Sequence, residues 1–182
     1  MKRLAAVAAL VFAFAPDPSL AQGQQPYAGL ETRPIKALSD EQIADLRAGR
    51  GMGLALAAEL NGYPGPLHVL DLAQSLELSE TQRAKMQELF TAMKAETVAL
   101  GEKLIAQETD LDRQFAGRTI TEAGLGAALQ AIGATQASLR TAHLKYHLAT
   151  VQVLTPTQVH GYAELRGYAT GAQRHQHGGH RH

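Results

Sequence analysis

The 182-residue chain balances 17 Lys and Arg against 17 Asp and Glu, so it lacks the basic excess that a nucleic-acid partner demands. It has no Cys, which excludes disulfides, thiolate metal ligands and a cysteine nucleophile. Trp is absent, aromatics make up only 5% of residues, and the wealth of Ala, Leu, Gln and Glu favours helix over strand, so one all-α domain is expected.

At the N-terminus, Lys2 and Arg3 precede an apolar run from Leu4 to Ala15 and the small-residue site Ser19-Leu20-Ala21. This is the order of a secretory signal peptide, residues 1–21, with cleavage expected after Ala21. A membrane span needs roughly 20 apolar residues, and Pro16, Asp17 and Pro18 interrupt the run earlier. Gln22, not Cys, follows the cut, so no lipid acceptor is offered, and loss of Lys2, Arg3 and Asp17 leaves the mature chain nearly neutral. A soluble exported protein with no membrane anchor after cleavage is predicted.

Residues 22–38 carry Pro26, Gly29 and Pro34 without a helical period and predict an extended arm. Ser39-Asp40-Glu41-Gln42 then forms a capping box, in which the Ser hydroxyl accepts from the N3 amide while the Gln side chain reaches back. Apolar positions Ile43, Leu46, Leu54, Leu56 and Leu60 follow, and Gly49, Gly51 and Gly53 predict a break among them. The same glycines superficially suggest a phosphate loop, but no strand precedes them and the final Gly of the dinucleotide fingerprint is missing. Asn61-Gly62 is a stop signal, and Pro64-Gly65-Pro66 restarts the chain into a short helix from Leu67 to about Leu76.

A second capping box, Ser79-Glu80-Thr81-Gln82, opens the cleanest pattern in the chain. Met86, Phe90, Met93, Thr97, Leu100, Leu104, Leu111 and Phe115 follow helical steps and predict one long amphipathic helix ending near Gly117. Thr119 with Glu122, or Thr121 alone, caps the next helix, whose buried stripe is expected at Leu125, Leu129, Ile132 and Leu139 and whose end is near Val153. Thr155-Pro156-Thr157-Gln158 caps a last short helix with Val159, Tyr162 and Leu165, its Pro at a position where the missing N–H costs nothing. The helical domain thus spans 39–170, and the Gly, Gln, Arg and His of 171–182 have nothing to bury and predict a disordered tail. Two long helices joined by a short turn predict an antiparallel hairpin, with shorter helices at its ends. Its apolar stripe exceeds what the short helices cover, so a homodimer with a concave face is expected.

Chemistry is concentrated in histidines. His143 and His147 stand four apart on the second long helix, hence on one face, in line with the Leu125 and Leu129 positions and expected to point inward. That spacing suits one shared metal ion, yet a buried neutral imidazole with a single hydrogen bond accounts for either residue equally well. Leu144 replaces the Glu of a zinc-protease helix, which excludes that chemistry. His68 would complete a site if its helix folds back beside His143 and His147, with Glu59 or Asp71 adding oxygen, whereas His160 is expected to be exposed. The tail places His175, His177, His180 and His182 close together, a tract that chelates divalent transition metals. No nucleophile elbow or Walker lysine is present, and no enzyme activity is expected.

Leu78-Ser79-Glu80-Thr81-Gln82 and Leu154-Thr155-Pro156-Thr157-Gln158 resemble the paired LTxxQ motifs of the Spy/CpxP-type periplasmic proteins, a family that includes the CnrX-like and ZraP-like heavy-metal sensors. The second copy matches in full and the first has Ser for Thr, over a resemblance spanning roughly residues 54–168. It implies a four-helix hooked hairpin, an antiparallel dimer and a role in envelope or metal stress, and His143 and His147 before the second motif place the chain nearer the sensor branch. The expectation is a periplasmic protein that senses or buffers divalent transition metals, zinc foremost, with copper, nickel or cobalt as alternatives. A membrane sensor protein is a conceivable partner. The rival reading is an ATP-independent chaperone holding unfolded clients in the concave face beside Lys85, Lys94 and Lys103.

Overall fold

A computed structural model describes residues 26–168. The signal peptide expected at 1–21 and the tail histidines His175, His177, His180 and His182 lie outside the described residues. Within them the chain is helical throughout: α1 (Asp40–Ala48), α2 (Leu56–Glu59), α3 (Pro66–Asp71), α4 (Glu80–Ala116), α5 (Glu122–Val151) and α6 (Pro156–Leu165), with no strand among the described residues. No helix among them is long and apolar enough to cross a membrane.

Local chemistry explains where the helices begin. Ser39, Ser79 and Thr155 each accept the N3 amide hydrogen bond, while Gln42, Gln82 and Gln158 return the favour to the cap backbone. Thr121, rather than Thr119, caps α5 by accepting from the Gly124 amide. The second and third boxes then do something that capping alone does not require. The Gln82 amide donates to Gln158 Oε1 at 2.8 Å and the Gln158 amide donates to Gln82 Oε1 at 3.0 Å. Their Nε2 groups also donate to the Val153 and Leu76 carbonyls. A reciprocal amide pair therefore ties the start of α4 to the start of α6, two points far apart in sequence.

Four expectations are corrected. The segment before α1 is not extended: it winds through turns with a 3₁₀ turn at Leu30–Thr32, because Ile35 and Leu38 are apolar enough to be drawn into the core. The helix after Pro66 stops at Asp71 and the chain continues in tight turns to Glu77, which carries a φ of 50°. Leu129 and Phe115 do not belong to a buried stripe, since both are about half exposed where the two long helices reach beyond the cover of the short ones. The buried line on α5 runs instead through Ile132, Thr135, Leu139, Ala142, His143, His147 and Thr150. Among the described residues the helix count is six, not the four that the resemblance implies, because the glycines at 49, 51 and 53 part α1 from α2 and the Asn61-Gly62 and Pro64-Gly65 turns part α2 from α3.

Two apolar clusters form. One gathers Ile35, Leu38, Leu46, Leu104, Ile105, Ile132 and Leu139. The other gathers Val69, Ala73, Leu76, Leu78, Met86, Leu154 and Tyr162. Met86 is fully buried there, a contribution of about 2 kcal/mol. α1 is seated on α4 at Gly101, where a Cβ would stand only 2.5 Å from the Leu46 carbonyl oxygen. Along α4 and α5 the stretch between the clusters holds Phe90, Met93 and Lys94 on one side and His143 and His147 on the other.

Candidate functional site

Glu59, at the end of the single turn α2, is the most demanding residue of this middle region. A carboxylate this well buried costs several kcal/mol unless donors surround it. They do. Oε1 accepts from the Tyr162 hydroxyl and, at 3.3 Å, from the Tyr168 hydroxyl. His68 Nδ1 stands 3.4 Å away and Arg166 Nε 3.8 Å away. Burial on its own would raise the Glu59 carboxyl, but hydrogen bonds from His68 and Tyr162 and the charges of His68 and His147 outweigh it and bring the group down to about 2. The same contact, behind the larger effect of burial, pushes the Tyr162 phenol up and keeps it a donor.

The structure thus brings together three of the predicted site residues, Glu59, His68 and His147, from α2, α3 and α5. They meet as a hydrogen-bonded charge cluster rather than as a cage of ligands. Glu59 Oε1 is already satisfied by phenols, and Oε2, buried without a hydrogen-bond partner, lies 3.8 Å from His147 Nδ1. Among the described residues no group of three or more His, Asp or Glu side chains is placed to hold a metal ion. Asp71 is exposed and takes no part. His160 is exposed as expected, and its Nε2 stands 3.3 Å from Glu164 one turn on.

His143 and His147 both point inward, but into different surroundings. His147 Nδ1 is 2.6 Å from the Tyr63 carbonyl, which only accepts, so Nδ1 carries a proton there. The other edge of its ring lies over Gly65, where a Cβ would come within 2.9 Å of Nε2 and Cε1. Only a glycine allows that approach. His147 therefore has the contacts of a core histidine that fastens the 63–65 turn to α5. His143 is buried as well, yet its Nε2 has no hydrogen-bond partner. Burial, with a smaller contribution from His147, lowers its pKa and so favours the neutral ring with a free lone pair.

His143 also lines a cleft of about 560 Å³ that opens between the glycine-rich loop after α1, the start of α3 and the middle of α4. His68 lines it from α3, Met93 and Phe90 from α4, and Met52 from the loop. Arg50 and Lys94 are at its margin, with Asp45 paired to Arg50 at 2.5 Å. Sequence patterning missed Tyr162, Arg166 and Tyr168, because they meet Glu59 across more than 100 positions. It also read Met93 only as part of an apolar stripe and did not single out Met52.

No protein-family model matches the chain, and no curated protein or solved structure matches it.

Proposed function

We propose that this is an exported periplasmic protein that binds divalent transition metals, sensing or buffering them, with His143 as its principal internal ligand. One observation carries the reading: His143, whose buried Nε2 has no hydrogen-bond partner, lines a cleft that a second imidazole, His68, also lines. An unmet nitrogen in a protein interior costs about 1–3 kcal/mol unless something binds it, and a Lewis acid is the natural complement of a neutral imidazole. His147 and Glu59 support the site from behind, and His175, His177, His180 and His182 form a separate capture tract. The overall shape supported by these contacts is a hooked antiparallel hairpin. Gln82 meets Val153 near one end and Glu96 meets Lys145 further along, so partner numbers fall on α5 as they rise on α4. A second copy of the chain covering its open end is part of the proposal, since Phe115 and Leu129 remain exposed there.

The test uses protein in which the four tail histidines are replaced by Gln. Zn(II) or Ni(II) at 100 times the dissociation constant adds about 2.7 kcal/mol, several degrees in Tm for a domain of this size. His143→Leu should remove most of that shift at pH 7.5, and the shift should fade only below the ordinary histidine range, because burial lowers the His143 pKa. An unshifted Tm in the parent rejects internal metal binding.

The chaperone reading has its own support in exposed apolar side chains between the glycine-rich loop and α3. Leu56 and Leu60 are more than half exposed, and Met52, Tyr63 and Leu67 about two-fifths. Suppression of client aggregation by substoichiometric protein would establish that role, and its absence with and without metal removes it.

A further inference from the structure

The residues around His143 discriminate between metals as well as offering a place for one. His143 comes from α5, His68 from α3, Met93 from α4 and Met52 from the loop between α1 and α2, and all four line the same cleft. Met93 is nearly buried and Met52 two-fifths exposed, so one thioether belongs to the wall and the other to the mouth. The cleft contains no thiolate, since the chain has no Cys. Its one carboxylate, Asp45, is held by Arg50 at 2.5 Å. Arg50 and Lys94 add positive charge around the opening.

We infer that this cleft is a site for a soft, singly charged ion, copper(I), held by the imidazoles of His143 and His68 and the thioethers of Met93 and Met52. The donor set points that way. Thioether sulfur is a soft donor that selects copper(I), whereas zinc gains more from thiolate, imidazole and carboxylate. The buried, unpartnered Nε2 of His143 supplies the anchoring lone pair. The inference rests on the metal-binding reading above and adds a monovalent ion to the divalent ones proposed there.

The experiment takes the full chain with the four tail histidines changed to Gln. Copper(I) affinity is measured anaerobically by competition against bicinchoninate, silver(I) serves as a redox-inert check, and X-ray absorption at the copper edge reports sulfur in the coordination shell. Met93→Leu and Met52→Leu conserve volume and should fold. Each is expected to weaken copper(I) binding by about tenfold or more, equivalent to about 1.4 kcal/mol, while leaving the response to Zn(II) unchanged. Copper sulfur scattering in the parent that diminishes in Met93→Leu supports the assignment. Copper(I) affinity unaltered in both methionine variants, or a shell of nitrogen and oxygen alone, overturns it while Zn(II) binding through His143 still stands. If the parent binds neither ion, both readings fall together.

Discussion

Replacing Glu59 by Gln keeps the shape of the side chain and one acceptor oxygen but removes the charge that the surrounding donors hold. The folded carboxyl is lowered from 4.5 to about 2, and at 1.36 kcal/mol per pH unit this is about 3 kcal/mol. The folded value lies below the unfolded one, so the unfolded chain takes up the proton first. The stabilisation is therefore complete above pH 4.5 and is lost as pH falls toward 2. Urea unfolding followed by circular dichroism at steps from pH 6 to pH 2 measures it. The parent should lose about 3 kcal/mol more than Glu59→Gln over that range, because every other carboxyl titrates in both proteins. Tyr162→Phe, which removes the phenol donor to Oε1, should fall between the two. Parallel loss of stability in parent and Glu59→Gln, within about 0.5 kcal/mol, would refute the role assigned to this cluster.

Gly101→Ala should lower Tm by several degrees although Ala favours helix by about 1 kcal/mol, because the new Cβ would meet the Leu46 carbonyl at 2.5 Å and backbone cannot rotate aside; a raised Tm would show that α1 does not sit this close to α4. A double-mutant cycle on Gln82→Ala and Gln158→Ala should return a coupling of about 1 kcal/mol from the reciprocal amide pair, and additive losses would reduce both residues to independent caps. His147→Ala should cost about 2–3 kcal/mol with or without metal, since it leaves the Tyr63 carbonyl unmet. His143→Leu should leave metal-free stability nearly unchanged, and equal behaviour of the two variants in thermal melts would contradict their different surroundings.

The positions of the helices follow from local chemistry and were legible in the sequence. Ser39, Ser79 and Thr155 with their Gln partners start helices wherever they stand, since capping is satisfied within four residues. Likewise the regular apolar spacing from Met86 to Leu104 requires one long helix, and the glycines at 49, 51 and 53 require a break. That His143 and His147 share a face was legible too, because they stand four apart; its inward direction was inferred from alignment with Leu125 and Leu129, but Leu129 is half exposed and the buried line runs through Ile132 and Leu139 instead. Which of the two is satisfied was not legible, since that depends on Tyr63 and Gly65, over 80 positions away. The gathering of Tyr162, Tyr168 and His68 around Glu59, the reciprocal pairing of Gln82 with Gln158, and the convergence of Met52 and Met93 on the His143 cleft have the same origin. Each joins residues whose spacing in sequence carries no period, so only the packing of α3, α5 and α6 against α4 and the short turns brings them within reach.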